Sequence, residues 1–155
     1  GTTGWASQLE GIRILVDEHN GGLVYAPNFS LGVNLFYRIA RHASALMALF
    51  PDYDPYILEK HHRMKKDFPS GTANALAQIV AEGQAQIGAT QKKPQHTLDG
   101  MLPAERFHVA SVRAGGIVGE HVVGFDSGGD EILIEHRART RFRVQRCAQG
   151  ESVGW

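Results

Sequence analysis

The spacing of apolar residues changes period once along this chain, and that change constrains the fold more than any other feature. Up to about residue 83 the strong segments repeat with the period of a helix, and beyond about residue 105 they repeat every second residue. Leu31, Leu35, Ile39, Ala43, Leu46 and Met47 share one broad face of a helix that is entered through Asn28-Phe29-Ser30 and ends near Pro51. A second helix is expected from Thr72 to about Gly83, with Leu76, Ile79 and Val80 among its apolar positions. Between them Tyr56-Ile57-Leu58-Glu59-Lys60 reads as a strand. Ahead of both, residues 6–19 carry a moderate helical pattern that stops before Asn20-Gly21-Gly22, and Leu23-Val24-Tyr25-Ala26 reads as a short strand interrupted by Pro27.

In the last third Phe107, Val109 and Ser111 alternate with His108, Ala110 and Val112, and two further strands are expected over Ile117–Phe125 and Glu131–Arg143. Ser127-Gly128-Gly129-Asp130 supplies a hairpin between these two, because glycine tolerates the positive φ that such turns use. Residues 84–104 are polar and irregular, and predict a mobile surface excursion. Helices first and a run of antiparallel strands later predict an α+β domain, with a mixed or antiparallel sheet of about four or more strands and helices on one face. At 155 residues and 43% hydrophobic content the chain has enough material for one full core. Sixteen basic and sixteen acidic side chains cancel, so no global field points to nucleic acid or membrane, and no apolar run reaches the ~18 residues of a transmembrane helix. The single Cys147 has no partner for an internal disulfide, in keeping with a reducing cytoplasm.

Chemistry concentrates in His61-His62-Arg63-Met64-Lys65-Lys66-Asp67-Phe68-Pro69-Ser70-Gly71-Thr72-Ala73. Imidazoles exchange protons near neutral pH, lysine adds fixed positive charge, and Ser70-Gly71-Thr72 opens a helix whose unpaired N–H groups attract anions. Together they suit a small dianion that must receive a proton. Each part also has an ordinary reading, since His-His beside Lys and Arg is a common solvated patch and Ser-Gly-Thr is a common N-cap. Glu59, His121 and His136 are read in the same way: Glu59 as a residue able to orient an imidazole, and the two histidines chiefly as structural hydrogen-bonding groups.

The pattern His-His-x-x-Lys-x-Asp-x-Pro-Ser-Gly-Thr-Ala closely resembles the signature of the dihydrodipicolinate reductase family. Gly1-Thr2-Thr3-Gly4 resembles its loop beside the nicotinamide, and Ala26-Pro27-Asn28-Phe29-Ser30-Leu31-Gly32-Val33-Asn34 its interdomain hinge. Arg113-Ala114-Gly115-Gly116-Ile117-Val118-Gly119-Glu120-His121 and Glu135-His136-Arg137-Ala138-x-x-Arg141 resemble its later strand motifs. Phe68 stands where family members commonly have a small residue.

The resemblance implies NADH- or NADPH-dependent reduction of 4-hydroxy-tetrahydrodipicolinate to tetrahydrodipicolinate in diaminopimelate and lysine biosynthesis. It implies His61 and Lys65 as catalytic residues, His62, Ser70, Gly71 and Thr72 as substrate-binding, and Gly1, Thr2, Thr3, Ala26, Pro27, Asn28, Phe29 and Arg141 as cofactor contacts. It further implies a homotetramer built through the sheet. No glycine-rich pyrophosphate turn precedes residue 1, so the chain is expected to be a fragment. Its expected organisation is a Rossmann-type βα remnant and hinge over 1–27, a substrate-binding and oligomerisation domain over 28–145, and a truncated segment over 146–155. Two other classes remain open at this level: a non-catalytic assembly domain, and a zinc hydrolase using some of the eight histidines, against which stands the lack of a His-x-x-x-His or cysteine pair.

Overall fold

The computed structural model describes residues 8–24, 28–85 and 92–140. The chain divides into two compact units, one formed by Gly1–Ala26 with Arg141–Trp155 and the other by Pro27–Thr140. What is described of the first unit is largely one amphipathic helix, α1 (Leu9–Glu18), none of whose residues is buried. Leu23 and Val24, expected in a strand, are not in one, and Tyr25 and Ala26 lie outside the described residues.

The second unit contains α2 (Leu31–Met47), β1 (Asp54–His61), α3 (Gly71–Ala85), β2 (Lys93–Gln95), β3 (Arg106–Arg113), β4 (Glu120–Asp126) and β5 (Glu131–Arg137). Ser30 caps α2 by accepting from the Val33 N–H at 3.4 Å. Val33, Phe36, Ala40 and Ser44, spaced by three and four, bury one stripe of that helix, which corrects the expected face: Leu31, Leu35, Ile39 and Leu46 are exposed, because the smaller residues of the other stripe let α2 pack closely on α3. The two helices approach closely where Gly83 faces Ser44, a point at which a Cβ would stand 2.6 Å from the Ser44 Cβ.

The five strands form one sheet in the order β2-β3-β1-β4-β5. It is mixed: β1 and β2 both run parallel to β3, while β1 pairs antiparallel with β4, and β4 with β5. The expected run of antiparallel strands is thus corrected, because β1 inserts between β3 and β4 and only β4 and β5 form a hairpin. The excursion at 84–104 contains β2, whose three residues are too few to show a period and include Pro94, tolerated because the strand lies at the sheet edge. β4 starts at Glu120 rather than Ile117, and β5 stops at Arg137 because its partner Glu120 is the first residue of β4. The hairpin also closes differently from expectation. Gly115 is the one described glycine with positive φ. At 127–130 the Ser127 hydroxyl instead accepts from the N–H groups of Gly129 and Asp130, at 3.2 and 3.1 Å.

The register sorts the sheet face under α2 and α3 into rows. Val109, Ile57, Val123 and Ile134 lie side by side across four strands and form the apolar floor of the core, with Phe36, Leu76 and Val80 from the helices above. Two residues further along β1 the row becomes Ser111, Glu59, His121 and His136. Strand alternation puts Glu59 on the same face as Ile57, so a carboxylate enters the edge of the core fully buried. The polar row lies at the C-terminal ends of the parallel strands β1 and β3, a place that ligands favour in sheets with parallel crossovers.

Candidate active site

Glu59 organises this end of the sheet. Its Oε1 accepts from the Ser111 hydroxyl at 2.7 Å, the Arg113 Nη2 at 2.7 Å and the Ser70 backbone N–H at 3.0 Å. Its Oε2 lies 2.5 Å from His61 Nδ1, a direct contact between carboxylate and imidazole. Burial by itself would push the Glu59 carboxyl up, but His61, Arg113, Ser111 and Ser70 together outweigh it and hold the group well below the usual carboxylate range. Glu59 is therefore a buried anion whose charge is met by named donors.

His61 ends β1 and is buried beneath the turn at 114–116, where the Ala114 N–H donates to the His61 carbonyl at 3.0 Å. His121 packs edge-on against it, with ring centroids 5.1 Å apart and planes at 73°. Burial, followed by the charge of a protonated His61, pushes the His121 pKa down to about 4, so His121 is neutral at physiological pH. Gly119 supplies the last wall. A Cβ at that position would stand 3.1 Å from His61 Nε2, so glycine keeps this nitrogen uncrowded.

Ser70 sets the start of α3. Its Oγ accepts from the Ala73 N–H at 3.2 Å and lies 3.1 Å from His121 Nε2. The N–H groups of Gly71 and Thr72 belong to the first turn, which the helix itself cannot satisfy. Gly71 is exposed, and a Cβ there would meet nothing within 4 Å. This is open space over a helix N-terminus.

Of the residues singled out from the sequence, His61 and Ser70 are thus brought together through Glu59. Lys65 is on the same loop, but its ammonium is paired with Asp67 at 2.8 and 3.0 Å and is not a free charge. His62 is half-buried, and the Thr72 side chain hydrogen-bonds the Tyr37 phenol of α2. Asn28 and Phe29 precede α2; the Asn28 Oδ1 accepts from the Ser30 N–H at 2.9 Å, and the Phe29 ring is 63% exposed. Phe68 is exposed too, so its bulk does not fill the loop interior. Gly1, Thr2, Thr3, Ala26, Pro27 and Arg141 lie outside the described residues. Sequence reasoning missed Arg113, Ser111 and Gly119. Arg113 and Gly119 stood inside a quoted motif, but only the parallel register β1–β3 gives Arg113 a buried carboxylate to pair with.

Ligand atoms of Glu59, His61 and His121 lie within 4.8 Å of one another, a combination of residue types that can hold a metal ion. Yet the Arg113 guanidinium already contacts that carboxylate at 2.7 Å. A cation entering here meets an anion already neutralised. The unpaired N–H groups at the start of α3 favour an anionic ligand instead.

Comparison with known proteins identifies the family of this domain. Residues 32–145 match the family model described as "Dihydrodipicolinate reductase, C-terminus". The 4-hydroxy-tetrahydrodipicolinate reductase of Myxococcus xanthus is 44% identical over 142 residues, covering 85% of this chain and 51% of that protein. The enzyme of the same name from Syntrophus aciditrophicus is 38% identical over 153 residues, covering 96% of this chain and 54% of its own length. Among solved structures, dipicolinate-bound dihydrodipicolinate reductase from Paenisporosarcina sp. TG-14 superposes with a TM-score of 0.56 at 32% identity, covering 89% of this chain and 51% of that one. The chain spans about half the length of the curated relatives it matches. With a matched family model over most of the described sheet and its two covering helices, this chain belongs to the dihydrodipicolinate reductase family and carries its C-terminal domain.

Proposed function

We propose that this chain supplies the substrate-binding part of a nicotinamide-dependent 4-hydroxy-tetrahydrodipicolinate reductase, with His61 as proton donor. The observation that carries the reading is the buried His61 imidazole, held by Glu59, beside an open helix N-terminus that Ser70 ties to the same carboxylate. The N–H groups of Gly71 and Thr72 take one carboxylate of the cyclic diacid, and Lys65 exchanges Asp67 for a substrate oxygen. His62 flanks the ring. With Nδ1 turned to Glu59, His61 delivers its proton from Nε2, the nitrogen that Gly119 leaves uncrowded.

A bound nicotinamide supplies the hydride for this chemistry. Of the expected cofactor contacts, the described residues include Asn28 and Phe29; the exposed Phe29 ring suits stacking on a planar group, while Asn28 braces the entry to α2. NADH and NADPH both fit this requirement. Association of subunits through the uncovered sheet face, where Val112 and Leu133 are 40% and 54% exposed, belongs to the same proposal.

Calorimetric titration of this chain with pyridine-2,6-dicarboxylate tests the substrate site directly, and an absence of binding at millimolar concentrations would remove it. In the full-length enzyme, His61→Gln is expected to lower turnover by ~10²–10⁴ while leaving diacid affinity largely intact, since that is the range general acid catalysis supplies. Undiminished turnover would take His61 out of the donor role. An assembly domain without a site would associate, as judged by light scattering, without binding the diacid.

A further inference from the structure

Four side chains at the polar end of the sheet form a closed ring. Glu59 Oε2 touches His61 Nδ1 at 2.5 Å, the His61 and His121 rings meet edge-on at 5.1 Å, His121 Nε2 lies 3.1 Å from Ser70 Oγ, and the Ser70 N–H returns to Glu59 Oε1 at 3.0 Å. Ser70 is the residue that caps α3, so the ring joins the imidazole to the helix start by two separate routes. We propose that Glu59 and His121 are positioning residues, which act through His61 and Ser70 to hold the proton donor and the anion-binding helix start in one fixed relation. The inference rests on the reading of His61 as donor, and adds two residues that no resemblance of motif assigns.

The partners of Ser70 favour one direction for its link to His121. Ser70 Oγ already accepts from the Ala73 N–H, so its hydroxyl hydrogen is free to go to His121 Nε2. Donation in this direction makes the neutral His121 the acceptor at Nε2. A charged His121 would have to reverse this bond, donating from Nε2 to Ser70 Oγ, and would repel a charged His61. Glu59, kept ionised by its donors, holds a proton on His61 Nδ1 and thereby presents Nε2 as the exchanging nitrogen. Groups face His61 from every neighbouring element: Glu59 on its own strand, Arg113 from β3, His121 from β4 and Lys65 from the loop, with His136 of β5 behind His121. Arg113 is spent on Glu59 and on the Asp67 carbonyl, each at 2.7 Å. Glu59 is therefore the anion in direct contact with the donor imidazole, and its removal leaves His61 Nδ1 without that partner.

The test compares Glu59→Gln with His61→Gln in the full-length enzyme. Glutamine keeps the shape and an acceptor for Ser70 but removes the charge. Glu59→Gln is expected to lower kcat by about 10- to 100-fold, a share of the ~10²–10⁴ available from general acid catalysis, with KM changed less than about threefold. His121→Asn should change kcat and KM together, because it loosens the Ser70 cap. An unaltered kcat in Glu59→Gln, alongside a His61→Gln enzyme that has lost turnover, overturns the positioning role and leaves the donor reading standing. Full turnover in His61→Gln overturns the donor reading itself. Should Glu59→Gln fail to fold, ¹⁵N spectra of the unaltered protein decide: a neutral His61 protonated on Nδ1 supports the proposal, and one protonated on Nε2 overturns it.

Discussion

Replacing Gly71 by aspartate should move stability and ligand affinity in opposite directions, and this separates an anion site from a plain helix cap. Gly71 is the first residue of α3, exposed, without a positive φ, and a Cβ there meets nothing within 4 Å. The substitution therefore causes no clash. Removing a glycine stiffens the unfolded chain by about 0.4–1 kcal/mol, and a carboxylate in the first turn gains a further ~0.3–1 kcal/mol from the helix dipole. The variant should unfold at a temperature equal to or a few degrees above that of the parent sequence.

A substrate carboxylate seated on the N–H groups of Gly71 and Thr72 would then lie about 5 Å from the new charge. At an effective dielectric of about 20–40, suited to a site open to solvent, the repulsion is roughly 2–3 kcal/mol. Affinity for pyridine-2,6-dicarboxylate should fall by about one to two orders of magnitude. Calorimetry at low salt and a thermal melt on the same sample measure both quantities. Gly71→Ala is the uncharged control, equally well folded, with only the steric part of the loss. Unchanged diacid affinity in Gly71→Asp would refute the anion site, and a variant much less stable than the parent would refute the helix-start argument.

Gly119→Ala should lower kcat in the full-length enzyme, because the methyl group crowds His61 Nε2 at 3.1 Å, and steady-state kinetics matching the unaltered enzyme would show that this nitrogen is not the reacting one. Gly83→Ala should destabilise the fold by about 1–3 kcal/mol in denaturant titrations, since its Cβ would stand 2.6 Å from the Ser44 Cβ and 3.1 Å from backbone atoms that a rotamer change cannot move. Stability should also fall with acid through His121. Its folded pKa of about 4 lies below the unfolded value of 6.5, so the unfolded chain binds the proton first; the contribution is whole above about pH 6.5 and is lost as pH falls toward 4. Urea titrations between pH 7 and 4 should show a loss on the order of 2–3 kcal/mol that is absent from a His121→Gln variant.

Local periodicity settled where the elements lie, but not which face of α2 turns inward: Leu31, Leu35, Ile39 and Leu46 of the expected apolar face are exposed, while Val33, Phe36, Ala40 and Ser44 are buried. A stripe spaced by three and four needs only one helix to define it, so α2 matches its expected start at Leu31 and its end before Pro51, and strict alternation alone put Glu59 and His61 on one face of β1. The order of residues around Ser70 likewise announced a capped helix start, and Ser70 does accept from Ala73. Strand order and direction were not legible in this way, because pairing is decided by residues far apart in sequence whose partners no local pattern names. The insertion of β1 between β3 and β4, parallel to one and antiparallel to the other, is what carries Ser111 and Arg113 to one side of Glu59 and His121 to the other. Burial of Glu59 follows only from that assembly. In the sequence it is one acidic residue in an apolar run, whereas in the folded sheet three donors and an imidazole converge on it, and their summed attraction outweighs the cost of taking the charge out of water.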